Sequence, residues 1–344
     1  MRIVIAIDSF KGCLPSAEAA AAVAEGLAGH DCVVLPVSDG GEGFAAVITD
    51  ALGGHSVSAC VHDPLGREIS ASYGLIDLPE GQIAVIESAA ASGLTLMLPE
   101  ELDPWKASSR GTGELIADAI RRGARDIYVG FGGTGTNDGG AGMLEALEEV
   151  HDKWQECRFT ALCDVTATFC GPEGATMMYG PQKGVLPDQT GLFDARLRAL
   201  AERYRPVLGR DVLTQPGSGA AGGMAGALWA VLGARLKPGA DAVLDIIHFE
   251  DCLDGASLVI TGEGRIDAQT LQGKLPAMVV RRAKAFSPTL RVIAFTGCNG
   301  LTACSPFDDI IQITPPGTPP ETALSPSFAR RRLIEAAATC ISGA

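Results

Sequence analysis

GFGGTGTNDGGAG, residues 130–142, decides how the rest of the chain is read. The apolar run DIYV at 126–129 precedes it as a short buried strand, and MLEALEE at 143–149 follows with helical spacing. A glycine-rich turn from strand to helix leaves backbone N–H groups directed at whatever anion sits there, and Asn137 and Asp138 stand where N-caps belong. Gly130, Gly132 and Gly135 also spell G-x-G-x-x-G, the pattern of a dinucleotide turn. The helix is expected to begin only near Asn137 or Asp138, and an acidic loop end suits a pyrophosphate poorly, so that match is read as accidental.

The same order of strand, polar glycine loop and helix recurs on both sides. Residues 2–7 form an apolar strand running into DSFKG, which puts Asp8, Ser9 and Lys11 at the carboxyl end of a parallel strand, where ligands of open α/β sheets bind. Ser16 is the expected N-cap of the alanine-rich helix that follows. A strand at 32–37 leads to SDGGEG, whose Asp39 and Glu42 suit Mg²⁺, an ion content with one or two carboxylates plus substrate phosphate oxygens. SSRGTG sets Arg110 ahead of a helix over 112–122 that Gly123 stops. PQKG carries Lys183, and a strand at 257–261 opens into GEGRIDAQTLQGK, where Glu263, Arg265, Asp267 and Lys274 share one loop. Between these, residues 55–86 alternate like a β-meander and mark a domain boundary, while 291–297 and 308–314 read as further parallel strands.

Composition narrows the class. The chain has 344 residues, 47% hydrophobic and 20% charged, with 43 glycines and only 5% aromatics, which favours an α/β enzyme of two domains with close helix–sheet contacts. A net charge of −14 leaves no global field for nucleic acid or an anionic membrane, so an anionic ligand must be held by local groups. Lys11, Arg110, Lys183, Arg265 and Lys274 all adjoin or neighbour glycine and could supply them. The ten cysteines include no C-x-x-C pair, so reduced thiols in a cytoplasmic protein are expected, and no apolar run is long enough for a membrane span.

IAIDSFKG, SDGGEG, GGTGTNDGGAGM, CGPEGA with GPQKG, GAAGG and ITGEGRIDAQTLQGK resemble, in order, the signature segments of the bacterial type I glycerate kinases. The resemblance implies ATP- and Mg²⁺-dependent phosphorylation of D-glycerate, generally at the 2-hydroxyl. It also implies a Rossmann-like parallel-sheet domain made from both chain ends and a second mixed α/β domain inserted between them. The boundaries are placed so that residues 1–60 and 286–344 form the first and 61–285 the second. The sequence departs from the family at Ile7, where proline is usual, at Cys13, where serine is usual, in CDVTATFCG, and in a much shortened segment after the helix at 143–149.

Phosphoryl transfer asks for in-line positioning, charge neutralisation and a carboxylate for the attacking hydroxyl. Asp138 or Asp8 is the expected base, with Asn137 and Lys11 beside it. Ser9, Arg110, Arg265, Lys274 and Asp267 are expected to hold glycerate. Gly132, Gly133, Thr134, Lys183 and Glu263 are expected around the phosphates, and Asp39 and Glu42 at the metal. The expected partners are small molecules, with a homodimer as the one protein association considered. Two rivals stand beside this reading: a catalytically impaired paralogue that binds without turnover, and a nicotinamide-dependent hydroxyacid dehydrogenase resting on the lone G-x-G-x-x-G.

Overall fold

The structure, a computed structural model, describes residues 1–10, 12–35, 37–38, 40, 43–79, 81–301 and 305–341. Among them run eleven strands: β1 (Arg2–Ile7), β2 (Asp31–Val34), β3 (His55–His62), β4 (Glu68–Leu78), β5 (Gly81–Glu87), β6 (Asp126–Gly130), β7 (Arg158–Leu162), β8 (Arg235–Lys237), β9 (Ala256–Ile266), β10 (Arg291–Asn299) and β11 (Asp309–Gln312). They form two sheets, and the chain divides into two compact units, Met1–Asp39 with Gly239–Ala344, and Gly40–Pro238.

In the first unit the sheet order is β11-β10-β9-β1-β2, and every pairing is parallel. β1 is almost wholly buried because a parallel strand in mid-sheet is covered on both faces. Its Ile3, Ile5 and Ile7 pack with Ala19 and Val23 of the helix Ser16–Gly26 and with Leu333 and Ala337 of the helix Pro326–Cys340. The chain leaves β1 toward β2 on one side and returns through β9 on the other, so the strand order reverses between β1 and β9. Ser16 does not cap its helix: its hydroxyl donates to the carbonyls of Ile7 (2.7 Å) and Val37 (2.9 Å), binding the segments after β1 and β2 together.

The second unit carries the order β3-β4-β5-β6-β7-β8. β3, β4 and β5 pair antiparallel as the expected meander, and β5 through β8 are parallel. The helix Arg110–Arg122 buries Leu115, Ile116, Ala119 and Ile120 and ends at Gly123, whose φ of 115° a side chain would resist. Inward-facing Ile127 and Val129 of β6 share the same core.

The expected mixed architecture is therefore present, while both domain boundaries move. The helix Phe44–Ala51 and β3 belong to the inserted unit, so its start lies at 40 and not 61. β9 and the helix Leu275–Phe286 belong to the first unit because β9 is hydrogen-bonded between β1 and β10.

Candidate active site

At the β1/β9 reversal of the first unit, polar side chains gather at the carboxyl ends of the strands. Ile7 is in register with Gly262, and the Asp8 N–H donates to the Gly262 carbonyl (2.9 Å), which sets Asp8 and Glu263 side by side on neighbouring strands. Asp8 is 5% exposed, and its Oδ1 accepts from the Ser9 N–H (2.7 Å). Glu263 is also buried; its Oε1 accepts the Thr270 hydroxyl (2.6 Å), and Oε2 lies 3.6 Å from the Lys274 ammonium. Burial raises the Glu263 carboxyl above its ordinary value, against the opposing pull of Thr270 and Lys274.

The loop 267–270 explains this geometry. Asp267 Oδ1 accepts from the Gln269 N–H (2.9 Å), and the Asp267 N–H donates to Thr270 Oγ1 (3.0 Å), a local turn that aims the Thr270 hydroxyl back at Glu263. Asp267 also pairs with Arg265 at 3.3 Å, leaving the guanidinium largely in solvent. Ser9, Glu263, Arg265 and Lys274 line one cavity of about 370 Å³. Four of the expected residues are thus brought together. Thr270, which holds Glu263, carries no sequence signal beyond its place in the same DAQT loop. Lys11, Asp39 and Glu42 lie outside the described residues.

In the second unit the 130–142 loop is a tightly tied element. The Leu94 N–H donates to the Gly133 carbonyl and the Gly135 N–H to the Ser92 carbonyl, each at 2.9 Å, and Thr134 is buried in this bridge. Gly132 and Gly133 line a small cavity of about 50 Å³ together with Glu87, whose Oε1 accepts from the Ala45 N–H (3.0 Å). The other flank of the loop presses on residues 220–223. The Gly139 N–H donates to the Gly222 carbonyl (2.9 Å), and a Cβ on Gly222, which has φ of 65°, would stand 2.2 Å from the Thr136 carbonyl oxygen.

Three of the expected residues have protein partners. Asp138 does not present an open carboxylate: Oδ2 accepts from the Ser109 N–H (2.9 Å), the Ser109 hydroxyl (2.8 Å) and the Gly142 N–H (3.2 Å), and Oδ1 from the Gly140 N–H (3.0 Å). It organises the start of the helix Ala141–Leu147, and proton abstraction would require dismantling that set. Lys183 is 2% exposed and donates to the Thr136 carbonyl (2.7 Å), so it secures the loop from within. Burial lowers its pKa to about 8, with Asp138 opposing the shift. Arg110 is paired with Glu114 at 2.8 Å, Glu145 at 3.5 Å and Glu149 at 3.9 Å. Asn137 donates to the Thr176 hydroxyl (2.9 Å), while its Oδ1 and the Thr136 hydroxyl are buried without a protein partner.

A parallel sheet with a polar cluster at its strand reversal defines an α/β enzyme of small-molecule chemistry. The chain belongs to the glycerate kinase family: the pattern described as Glycerate kinase family matches residues 3–149 and 146–342. The chain is 40% identical to the glycerate kinase of Haemophilus influenzae, over 87% of this chain and 86% of that protein. It is likewise 40% identical to the glycerate 2-kinase of Escherichia coli, over 83% of each. A crystal structure of the provisionally named glycerate kinase 2 from Salmonella typhimurium LT2 superposes with a TM-score of 0.87 at 37% identity, covering 100% of this chain and 99% of that one. The protein is therefore an enzyme, a kinase, and the dehydrogenase alternative drawn from the isolated G-x-G-x-x-G is set aside. The two family matches meet at 146–149, where the sequence shows its shortened segment. Among the described residues no helix is long and apolar enough to cross a membrane.

Proposed function

We propose that the protein transfers the terminal phosphoryl group of ATP to the 2-hydroxyl of D-glycerate, giving 2-phosphoglycerate. The observation that carries this reading is the Glu263–Lys274 pair beside Asp8 at the β1/β9 reversal, which joins buried carboxylates to a cation at one strand end. The 2-position follows the E. coli relative, which is named a glycerate 2-kinase.

Each part has a chemical task. With Asp138 committed to its loop, Asp8 is the carboxylate that receives the proton of the attacking hydroxyl. Lys274 and Arg265 supply positive charge to anionic substrates, and Thr270 keeps Glu263 in place. Magnesium fits the donor set, since Glu263 offers a hard carboxylate oxygen. When bound, the ion would neutralise phosphate charge, and Glu263 would hold it. A cytoplasmic setting and a homodimer complete the reading, the latter testable by light scattering.

The test is ADP release from ATP and D-glycerate, followed by identification of the 2- or 3-phospho product. The shortened segment after the helix at 143–149, where the two family matches overlap, favours one second reading, binding without turnover. That reading prevails if ATP or glycerate raises the melting temperature while no ADP forms.

A further inference from the structure

We infer that the first unit's cavity receives the nucleoside half of the phosphate donor, and that Arg265 and Lys274 meet its phosphates and not the carboxylate of glycerate. This rests on the kinase reading above and assigns the cavity within it. Its volume, about 370 Å³, falls in the range of roughly 300–1,000 Å³ that encloses drug-sized ligands. A three-carbon acid would rattle in such a space, whereas a purine with its ribose fills it.

The walls agree with that occupant. Phe10, Ile313, Ala323, Leu324 and Ala329 give the cavity an apolar side that offers glycerate's oxygens no hydrogen bonds. A planar base gains from the same surface. The two cations are more exposed than the acid near them, with the side chain of Arg265 69% exposed and that of Lys274 36%, against 9% for Glu263. An apolar wall together with two cations in one cavity matches a ligand whose one end is a heterocycle and whose other end is a polyphosphate. The topology points the same way, because the cavity takes residues from the ends of β1, β9, β10 and β11, spanning the strand reversal where such sheets bind nucleotides. In the second unit the cavity at Gly132 and Gly133, about 50 Å³, is too small for a nucleoside, and the larger one, about 540 Å³, sets Glu145 and Glu148 beside Arg203, a poor match for a polyphosphate.

Two exposed thiols provide the test without mutation. Cys298 on β10 lines the cavity, and Cys60 on β3 belongs to the other unit and serves as the internal reference. The protein is pulsed with N-ethylmaleimide in the presence of ADP, adenosine or D-glycerate, and labelling at each cysteine is read by peptide mass spectrometry. Saturating ADP is expected to slow Cys298 labelling about five-fold or more, and adenosine to do so at higher concentration, with Cys60 unchanged. Protection of Cys298 by glycerate equal to or greater than that by ADP overturns the assignment. So does absence of ADP protection in protein that turns over ATP and glycerate. Protection by ADP without any turnover instead sinks the kinase reading and leaves the pocket standing. As a second measurement, Leu324→Glu, at a position 55% exposed, is expected to raise KM for ATP about ten-fold while KM for glycerate stays within about two-fold. An unchanged KM for ATP in that variant also counts against the assignment.

Discussion

The hydroxyl of Thr270 donates to the carboxylate of Glu263 across 2.6 Å, and this one bond fixes a buried acid at the carboxyl end of the central sheet. Because burial raises the Glu263 pKa, the folded state holds that proton more firmly than the unfolded chain. The stability linked to it is complete at acidic pH and is lost as pH rises through the folded value.

Glu263→Gln is therefore expected to keep the Thr270 bond, to melt at or above the wild-type temperature at pH 8, and to converge with wild type, or fall below it, at pH 5. Turnover should fall by about 100-fold or more, since a neutral amide is a poor partner for cation-laden phosphates. Thermal scans at the two pH values, paired with the ADP assay, check both halves. A variant that is less stable at pH 8 would contradict the sign.

Lys183 gives the opposite pH signature. Its pKa drops to about 8 on burial, so the unfolded chain binds more protons above that pH, and stability should rise between about pH 8 and 10. The full effect is on the order of 3 kcal/mol. Urea melts across this window should show a steeper rise for wild type than for Lys183→Met, whose curve lacks the titration. Parallel slopes would refute it.

Asp138→Ala leaves the Ser109, Gly140 and Gly142 N–H groups without their acceptor, and a loss on the order of 3 kcal/mol or more is expected in denaturant unfolding. If the residue were the catalytic base, turnover would collapse with stability nearly intact, which separates the two roles.

Arg110→Ala removes ion pairs that are partly open to solvent, so stability should change by about 1 kcal/mol or less. The KM for glycerate should stay within about three-fold of wild type, because the guanidinium is engaged by Glu114. A rise of ten-fold or more would restore Arg110 to the glycerate clamp.

Much of the fold is legible because each functional loop sits between an apolar strand and an amphipathic helix, a local pattern that needs no knowledge of distant partners. The domain boundary is not legible in this way. Nothing within SLVIT states that β9 will lie between β1 and β10, and only that long-range pairing moves residues 239–285 into the first unit. Site chemistry divides along the same line. The acids and cations of GEGRIDAQTLQGK are neighbours in sequence, so their association could be read directly. The donors that occupy Asp138 come partly from Ser109, 29 positions away, and the glutamates that occupy Arg110 come partly from another helix. A polar residue in a glycine loop reveals its chemical type; whether it faces a ligand or another loop depends on contacts that local pattern does not carry.

The position of β1 beside β9 also imposes an order in time. The first strand made by the ribosome pairs, from Arg2 with Ala256 to Ile7 with Gly262, with a strand synthesised about 250 residues later. At translation speeds of about 5–20 residues per second this is a delay of roughly 10–50 s. Residues 40–238 can complete their own sheet in that interval, while one edge of the apolar β1 waits for its neighbour. The first unit can therefore close only once β9 has been made, so its completion is a late event of synthesis.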